Sequence, residues 1–176
     1  MIIYYKNDYI LCKAAENGHL EIVKLLIDKV DKIDNYVLIC AIQNNHLEMV
    51  KFLLEKGVNN SNYVLRWAAI YGQLEIVQSL LEKDIDISFD NNAALMSAVR
   101  HNHLEMVKLL LNRGANIHAD NNAALCLAAQ NNHLEMVKLL CNRGASIYAA
   151  IRQHGLHGLL KYFQIIMAMC ENTFKW

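Results

Sequence analysis

Apolar residues in this chain come in short bursts on a helical period. In residues 104–111, Leu104, Val107, Leu110 and Leu111 follow spacings of 3, 3 and 1 and form one apolar face of a helix. Five such bursts occur, each opened by the same phrase. It reads Gly18-His19-Leu20-Glu21-Ile22-Val23, Asn45-His46-Leu47-Glu48-Met49-Val50, Gly72-Gln73-Leu74-Glu75-Ile76-Val77, Asn102-His103-Leu104-Glu105-Met106-Val107 and Asn132-His133-Leu134-Glu135-Met136-Val137. The steps between copies are 27, 27, 30 and 30 residues. A second phrase lies ten residues upstream in the same register: Asp8-Tyr9-Ile10-Leu11, Asn35-Tyr36-Val37-Leu38, Asn62-Tyr63-Val64-Leu65, Asn92-Ala93-Ala94-Leu95 and Asn122-Ala123-Ala124-Leu125. Two phrases in one register are the signature of a repeat array.

Each repeat reads as two short helices. Asp8, Asn35, Asn62, Asn92 and Asn122 are placed to open the first helix, where a side-chain oxygen accepts an unpaired backbone N–H. An Ala-rich segment such as Leu125-Cys126-Leu127-Ala128-Ala129 lets that helix approach its neighbours closely. The Gly or Asn before each His or Gln predicts a tight left-handed turn. Glu105 and Lys108 predict a weak outward ion pair on the second helix, and Gly57, Gly114 and Gly144 end theirs. The predicted repeats are 8–34, 35–61, 62–91, 92–121 and 122–147, and residues 148–176 read as a degenerate helical C-terminal cap in one repeat domain, 1–176. A stacked array exposes an apolar face at each end unless something covers it.

Charge narrows the partner. Lys and Arg number 17 and so do Asp and Glu, so neither a nucleic-acid surface nor a lipid-headgroup patch is expected. The longest apolar run near the C-terminus, Ile165 to Cys170, falls far short of the ~20 residues of a membrane span. The five cysteines form no C-x-x-C pair and read as small apolar core residues in a reducing, intracellular setting.

Candidate chemistry is sparse. His19, His46, His103 and His133 share one turn position, where a turn-stabilising role is expected; ligands spread along a stack do not converge on a metal. His101 and His103 lack an acidic or thiol partner nearby in sequence, and His154 and His157 are two groups where a metal site needs more. No phosphate-binding loop, dinucleotide fingerprint, zinc-protease or serine-hydrolase motif is present. The glutamates recur with the repeat and are accounted for by its surface. No enzyme, cofactor or metal is expected.

The stretch Leu95…Ala98 with Asn102-His103-Leu104-Glu105-Met106-Val107-Lys108-Leu109-Leu110-Leu111…Gly114-Ala115 resembles the ankyrin repeat, and the resemblance covers nearly the whole chain. The Asn-rich, Gly-poor style resembles the ankyrin proteins encoded by giant DNA viruses. The family implies an all-α, helix-turn-helix solenoid. Its repeats are about 33 residues, so these are about three or six shorter. The loss falls between helix pairs: Leu109 to Leu125 spans 16 residues, Leu25 to Leu38 only 13. Short or absent β-hairpin fingers follow. Val30 and Asp84 replace helix-ending glycines, and Ser79 replaces an apolar Leu, so the N-terminal half is expected to be softer.

The resemblance implies a binding module for another protein, working as a monomer through the concave rows of the first helices. Those rows are Lys13, Cys40, Trp67, Ser97, Leu127; Glu16, Gln43, Ile70, Arg100, Gln130; and Asn17, Asn44, Tyr71, His101, Asn131. The third copy stands apart. Trp67, Ile70 and Tyr71 share one helical face, flanked by Arg66 and Arg100, and such residue types dominate interface energetics. With His101, Gln130 and Asn131 they make the candidate surface. Two readings of Trp67 and Ile70 stand: an exposed anchor, or repacking into a core weakened elsewhere in that repeat. For the function, a substrate receptor of a ubiquitin ligase and a near-neutral repeat paralogue are the alternatives.

Overall fold

A computed structural model describes residues 3–30, 33–58, 61–82 and 86–154. Among the described residues the regular structure is entirely helical, and no strand occurs. The helices are α1 (Ile3–Glu16), α2 (Leu20–Ile27), α3 (Asn35–Gln43), α4 (Leu47–Glu55), α5 (Ser61–Tyr71), α6 (Leu74–Leu81), α7 (Phe89–Arg100), α8 (Leu104–Asn112), α9 (Ala119–Gln130), α10 (Leu134–Asn142) and α11 (Ile147–His154). Odd and even helices alternate as the first and second members of successive hairpins. They fall into two compact units that divide after Asp86.

In the first unit α1 packs on α3 and α3 on α5, with α2, α4 and α6 folded back onto their own partners. Small residues sit at the closest approach: Ala14, Ala15, Ala41, Ala68 and Ala69 are buried. The second helices contribute Val23, Ile27, Met49, Val50, Leu53, Ile76, Val77 and Leu80 to the core. In the second unit α7 packs on α9 and α9 on α11, while α8 meets α10. Met106, Val107 and Leu110 are buried there, whereas Leu104 and Leu111 are half-buried at the edges of the face. The burst that the sequence centres on Leu104 to Leu111 is therefore turned slightly, with Met106 at its middle.

The tight turns have the backbone that their residues imply. Gly18 and Gly72 have φ of 71° and 70°, and Asn45, Asn102 and Asn132 have φ of 58°, 60° and 63°. Gly57, Gly114 and Gly144 end their helices at φ of 81°, 95° and 95°. Val30 is not at positive φ, so its lack of a glycine carries no left-handed strain. Asp84 lies outside the described residues. The ion pair Lys108–Glu105 forms at 2.6 Å, with counterparts at Lys24–Glu21, Lys51–Glu48 and Lys138–Glu135. All are solvent-exposed and contribute little stability.

The helix-opening residues do something other than expected. Asp8 lies inside α1, which begins at Ile3. At α3 the cap is Asp34, whose extended backbone (ψ 137°) lets its carboxylate accept from the Tyr36 amide at 2.8 Å; Asn35 is already helical. Where the two longer repeats end, leading into α7 and α9, the chain makes a left-handed turn. Asp120, Asn121 and Asn122 have φ of 46°, 52° and 66°, and Asp90 and Asn92 have φ of 49° and 60°. Asn and Asp tolerate this region best among residues with a Cβ. The turn buries Asn92 and Asn122 and aims their carboxamide oxygens at the next loop, where the amides of Asn116 and Ser146 donate to them, each at 2.8 Å. The His118 Nδ1–H also faces the Asn122 oxygen at 3.0 Å. The extra residues of the 30-residue repeats thus build a buried polar link between successive hairpins.

The expected C-terminal cap is described only as far as α11, which packs on α9 and buries Ala150; residues 155–176 lie outside the described residues.

Candidate functional site

A groove between α3 and α5 in the first unit has a volume of about 270 Å³. Residues Asn35, Leu38, Ile39 and Ile42 form one wall at spacings of 3, 1 and 3, one face of α3. Tyr63, Val64 and Trp67 form the other. Leu38, Ile42 and Val64 are buried at its floor, while Ile39 and Trp67 are half-buried and Tyr63 is exposed. The lining side chains are apolar except for the Asn35 carboxamide, the Tyr63 hydroxyl and the Trp67 indole N–H. No strongly charged side chain lines it, so it suits an uncharged, apolar group.

Trp67 and Tyr71 stack with ring centroids 6.0 Å apart and planes 17° from parallel. Both, with Ile70, are half-buried. Neither sequence reading is met in full: the aromatic pair keeps solvent-facing surface while Trp67 also packs into the α3–α5 seam. Arg66, one residue earlier on the helix, is exposed.

The remaining candidates belong to the second unit. Arg100, His101, Gln130 and Asn131 are all exposed at the ends of α7 and α9. Two of them have backbone work. The His101 Nδ1–H donates to the Ser97 carbonyl at 2.9 Å, and the Asn131 amide donates to the Leu127 carbonyl at 2.8 Å. In the first unit Asn17 and Asn44 do the same for the carbonyls of Lys13 and Cys40, at 2.7 and 2.9 Å. Each of these carbonyls also accepts the backbone N–H of the same residue, so the side chain adds a second bond to the carbonyl's other lone pair at the helix end. This row is chiefly a helix-capping row. Tyr71 is the member that stacks instead of capping.

The histidines at the second-helix turns also act on backbone. His46 and His133 occupy the N-cap positions of α4 and α10 but make no side-chain cap bond there. Their Nε2–H groups instead donate to the carbonyls of Glu16 and Arg100, at 3.0 and 3.1 Å, one repeat earlier. The expected turn-stabilising role is an inter-repeat one. The His101 and His103 rings stack at 6.1 Å. Among the described residues no three His, Cys, Asp or Glu side chains gather into a metal-binding group. Burial pushes the Cys40 and Cys126 thiols above the usual thiol range.

One exposed row escaped the sequence reading. Tyr9, Tyr36 and Tyr63 open the same helical position in the first three copies and are 64%, 57% and 45% exposed. A search for positions where copies disagree passes over them, because three copies agree. The available signal was chemical: three tyrosines recur where the other two copies carry Ala93 and Ala123. Tyr63 joins this row to the groove.

The ankyrin-repeat family model, described as "Ankyrin repeats (3 copies)", matches residues 3–63 and 65–151. The chain belongs to the ankyrin repeat family. Ankyrin repeats are generally protein–protein interaction modules and typically non-enzymatic scaffolds. No curated protein matches the sequence. Among the described residues no helix is long and apolar enough to cross a membrane.

Proposed function

We propose that this ankyrin chain is a non-catalytic binding module that docks a partner protein at the α3–α5 groove, with Trp67, Tyr63 and Tyr71 as anchors and Ile70 and Arg66 beside them. The single observation that carries this reading is an apolar groove of about 270 Å³ whose rim is aromatic and partly exposed. Aromatic side chains at the edge of an apolar pocket supply large contact area at low conformational cost, and truncating a central one costs ~2 kcal/mol or more of binding. In the second unit, exposed Arg100 and Gln130 are the better contacts. His101 and Asn131 have donors already engaged by their own helices and contribute less. The zero formal net charge supports a protein partner over a nucleic acid, and the odd number of cysteines supports an intracellular setting. A host protein of a giant DNA virus as partner rests on the style of the sequence.

The test is affinity purification with mass spectrometry on the wild-type chain, followed by direct binding of the recovered partner to Trp67→Ala and Tyr71→Ala. Binding weakened at least tenfold with a melting temperature close to wild type is expected for Trp67→Ala, and a smaller loss for Tyr71→Ala. Full affinity with lowered stability would show instead that the aromatic pair is core.

A further inference from the structure

The outer face of the first hairpin has the chemistry of an inner one. Ile10 on α1 is 44% exposed, whereas Val37, Val64 and Ala124, at the same position of later copies, are at most 3% exposed. Ile22 on α2 is also 44% exposed, against at most 2% for Met49, Ile76 and Met136. Leu25 is 70% exposed, and its counterparts Phe52, Ser79 and Leu139 are half-buried. Those later copies each follow another hairpin of their own unit, packed first helix on first helix. Polar groups repeat the pattern. His46 and His133 donate to a carbonyl of the hairpin before them, and Lys56 and Arg143 donate to Asp28 and Asn112 of that hairpin, at 2.8 and 2.9 Å. His19 and Lys29 hold these two positions in the first copy, and both are exposed. A repeat that ends a stack has a polar outer face. This one has the apolar contacts and the donors of a stacked repeat, the mark of an interface.

We propose that this face joins two copies of the chain, with α2 of one copy antiparallel to α2 of the other about a two-fold axis. The charges on α2 select a second copy as the occupant. The donor His19 and the acid Glu21 stand at its start, and the acid Asp28 and the base Lys29 stand just past its end; all four are exposed. Antiparallel pairing sets the start of one helix beside the end of the other. Glu21 then faces Lys29 and His19 faces Asp28, each twice by symmetry. Parallel pairing would set like charges together. Asp28 already accepts from Lys56, and a carboxylate has lone pairs for a second donor. The pair of Glu21 with Lys24 is solvent-exposed and weak enough to yield. Ile10, Ile22 and Leu25 form the apolar centre, whose burial drives association. The face shares no residue with the α3–α5 groove, and the dimer departs from the monomer that the family resemblance implies.

Sedimentation velocity on the full chain, from low to high micromolar concentration, tests this. The weight-average mass is expected to rise from that of one copy to that of two. Leu25→Glu should hold the chain at one copy throughout, with a melting temperature close to that of wild type at dilution, because the replaced side chain is exposed. Glu21→Lys and Lys29→Glu should each dimerise severalfold more weakly than wild type. An equimolar mixture of the two should recover the dimer, since every facing pair is then of opposite sign. One-copy mass for wild type at every concentration would overturn the proposal and leave the face to a hairpin of another protein. A dimer that survives Leu25→Glu unchanged would overturn it as well, by placing the contact elsewhere. Charge variants that both pair as tightly as wild type would overturn the antiparallel arrangement.

Discussion

Gly18 and Gly57 have similar backbones and different surroundings. Each has positive φ, which already strains any residue with a Cβ. At Gly57 an added Cβ meets nothing within 4 Å, whereas at Gly18 it would lie 2.7 Å from His46 Cε1. That ring is held in place by its bond to the Glu16 carbonyl. Gly57→Ala should therefore cost about 1 kcal/mol, the backbone term alone. Gly18→Ala should cost clearly more, because the His46 ring must move and its inter-repeat hydrogen bond, worth about 1 kcal/mol, is lost as well. Urea unfolding of both variants checks this, and equal losses would mean that His46 yields freely. The sequence shows both glycines and the left-handed turn they serve. It does not show that a histidine 28 residues later lies against one of them, because that contact exists only once the repeats are stacked.

At the scale of elements, repeat length has a physical meaning. The 30-residue repeats contain the Asp-Asn-Asn turn, and the turn buries Asn92 and Asn122 as acceptors for the next loop. The 27-residue copy that starts at Asn35 has instead an ordinary cap at Asp34 and an exposed Asn35. Asn122→Ala should destabilise by about 2 kcal/mol, since it takes the acceptor from the half-buried Ser146 amide and removes a residue suited to φ 66°. Asn35→Ala should stay within about 0.5 kcal/mol. Thermal or urea melts of the two variants distinguish them. The sequence reading assigned both asparagines the same capping task. Their divergence follows from backbone hand, to which a residue alphabet alone is blind when Asn suits both a cap and a left-handed turn.

At the scale of the molecule, the two units differ in how their hairpins are joined. The second has the buried Asn links between successive hairpins. The first has the groove and the exposed tyrosines. Sub-global opening follows such differences in local cohesion. Native-state hydrogen exchange should show weaker amide protection in α1–α6 than in α7–α11, and equal or inverted protection would refute the assignment. A less cohesive first unit that also holds the candidate groove fits the usual placement of binding surfaces at the low-stability end of a fold.

Much of this protein is a local matter, and local matters are written in the sequence. The helix pairs, the turns at Gly18, Asn45, Gly72, Asn102 and Asn132, the helix-ending glycines, the outward Glu–Lys pairs and the absence of strands among the described residues all follow from spacing and residue type within one repeat. Tertiary structure decided what depends on neighbours. Ile22 is exposed while Met49, Ile76, Met106 and Met136, at the same position of later copies, are buried. His101 and Asn131 cap helices although their row was read as a partner surface, and Trp67 is half-buried because it also lines the seam with α3. A repeat fixes the chemistry of each position by its period. Whether that position faces solvent, its own backbone or the next hairpin is set by the stacking of one repeat on another.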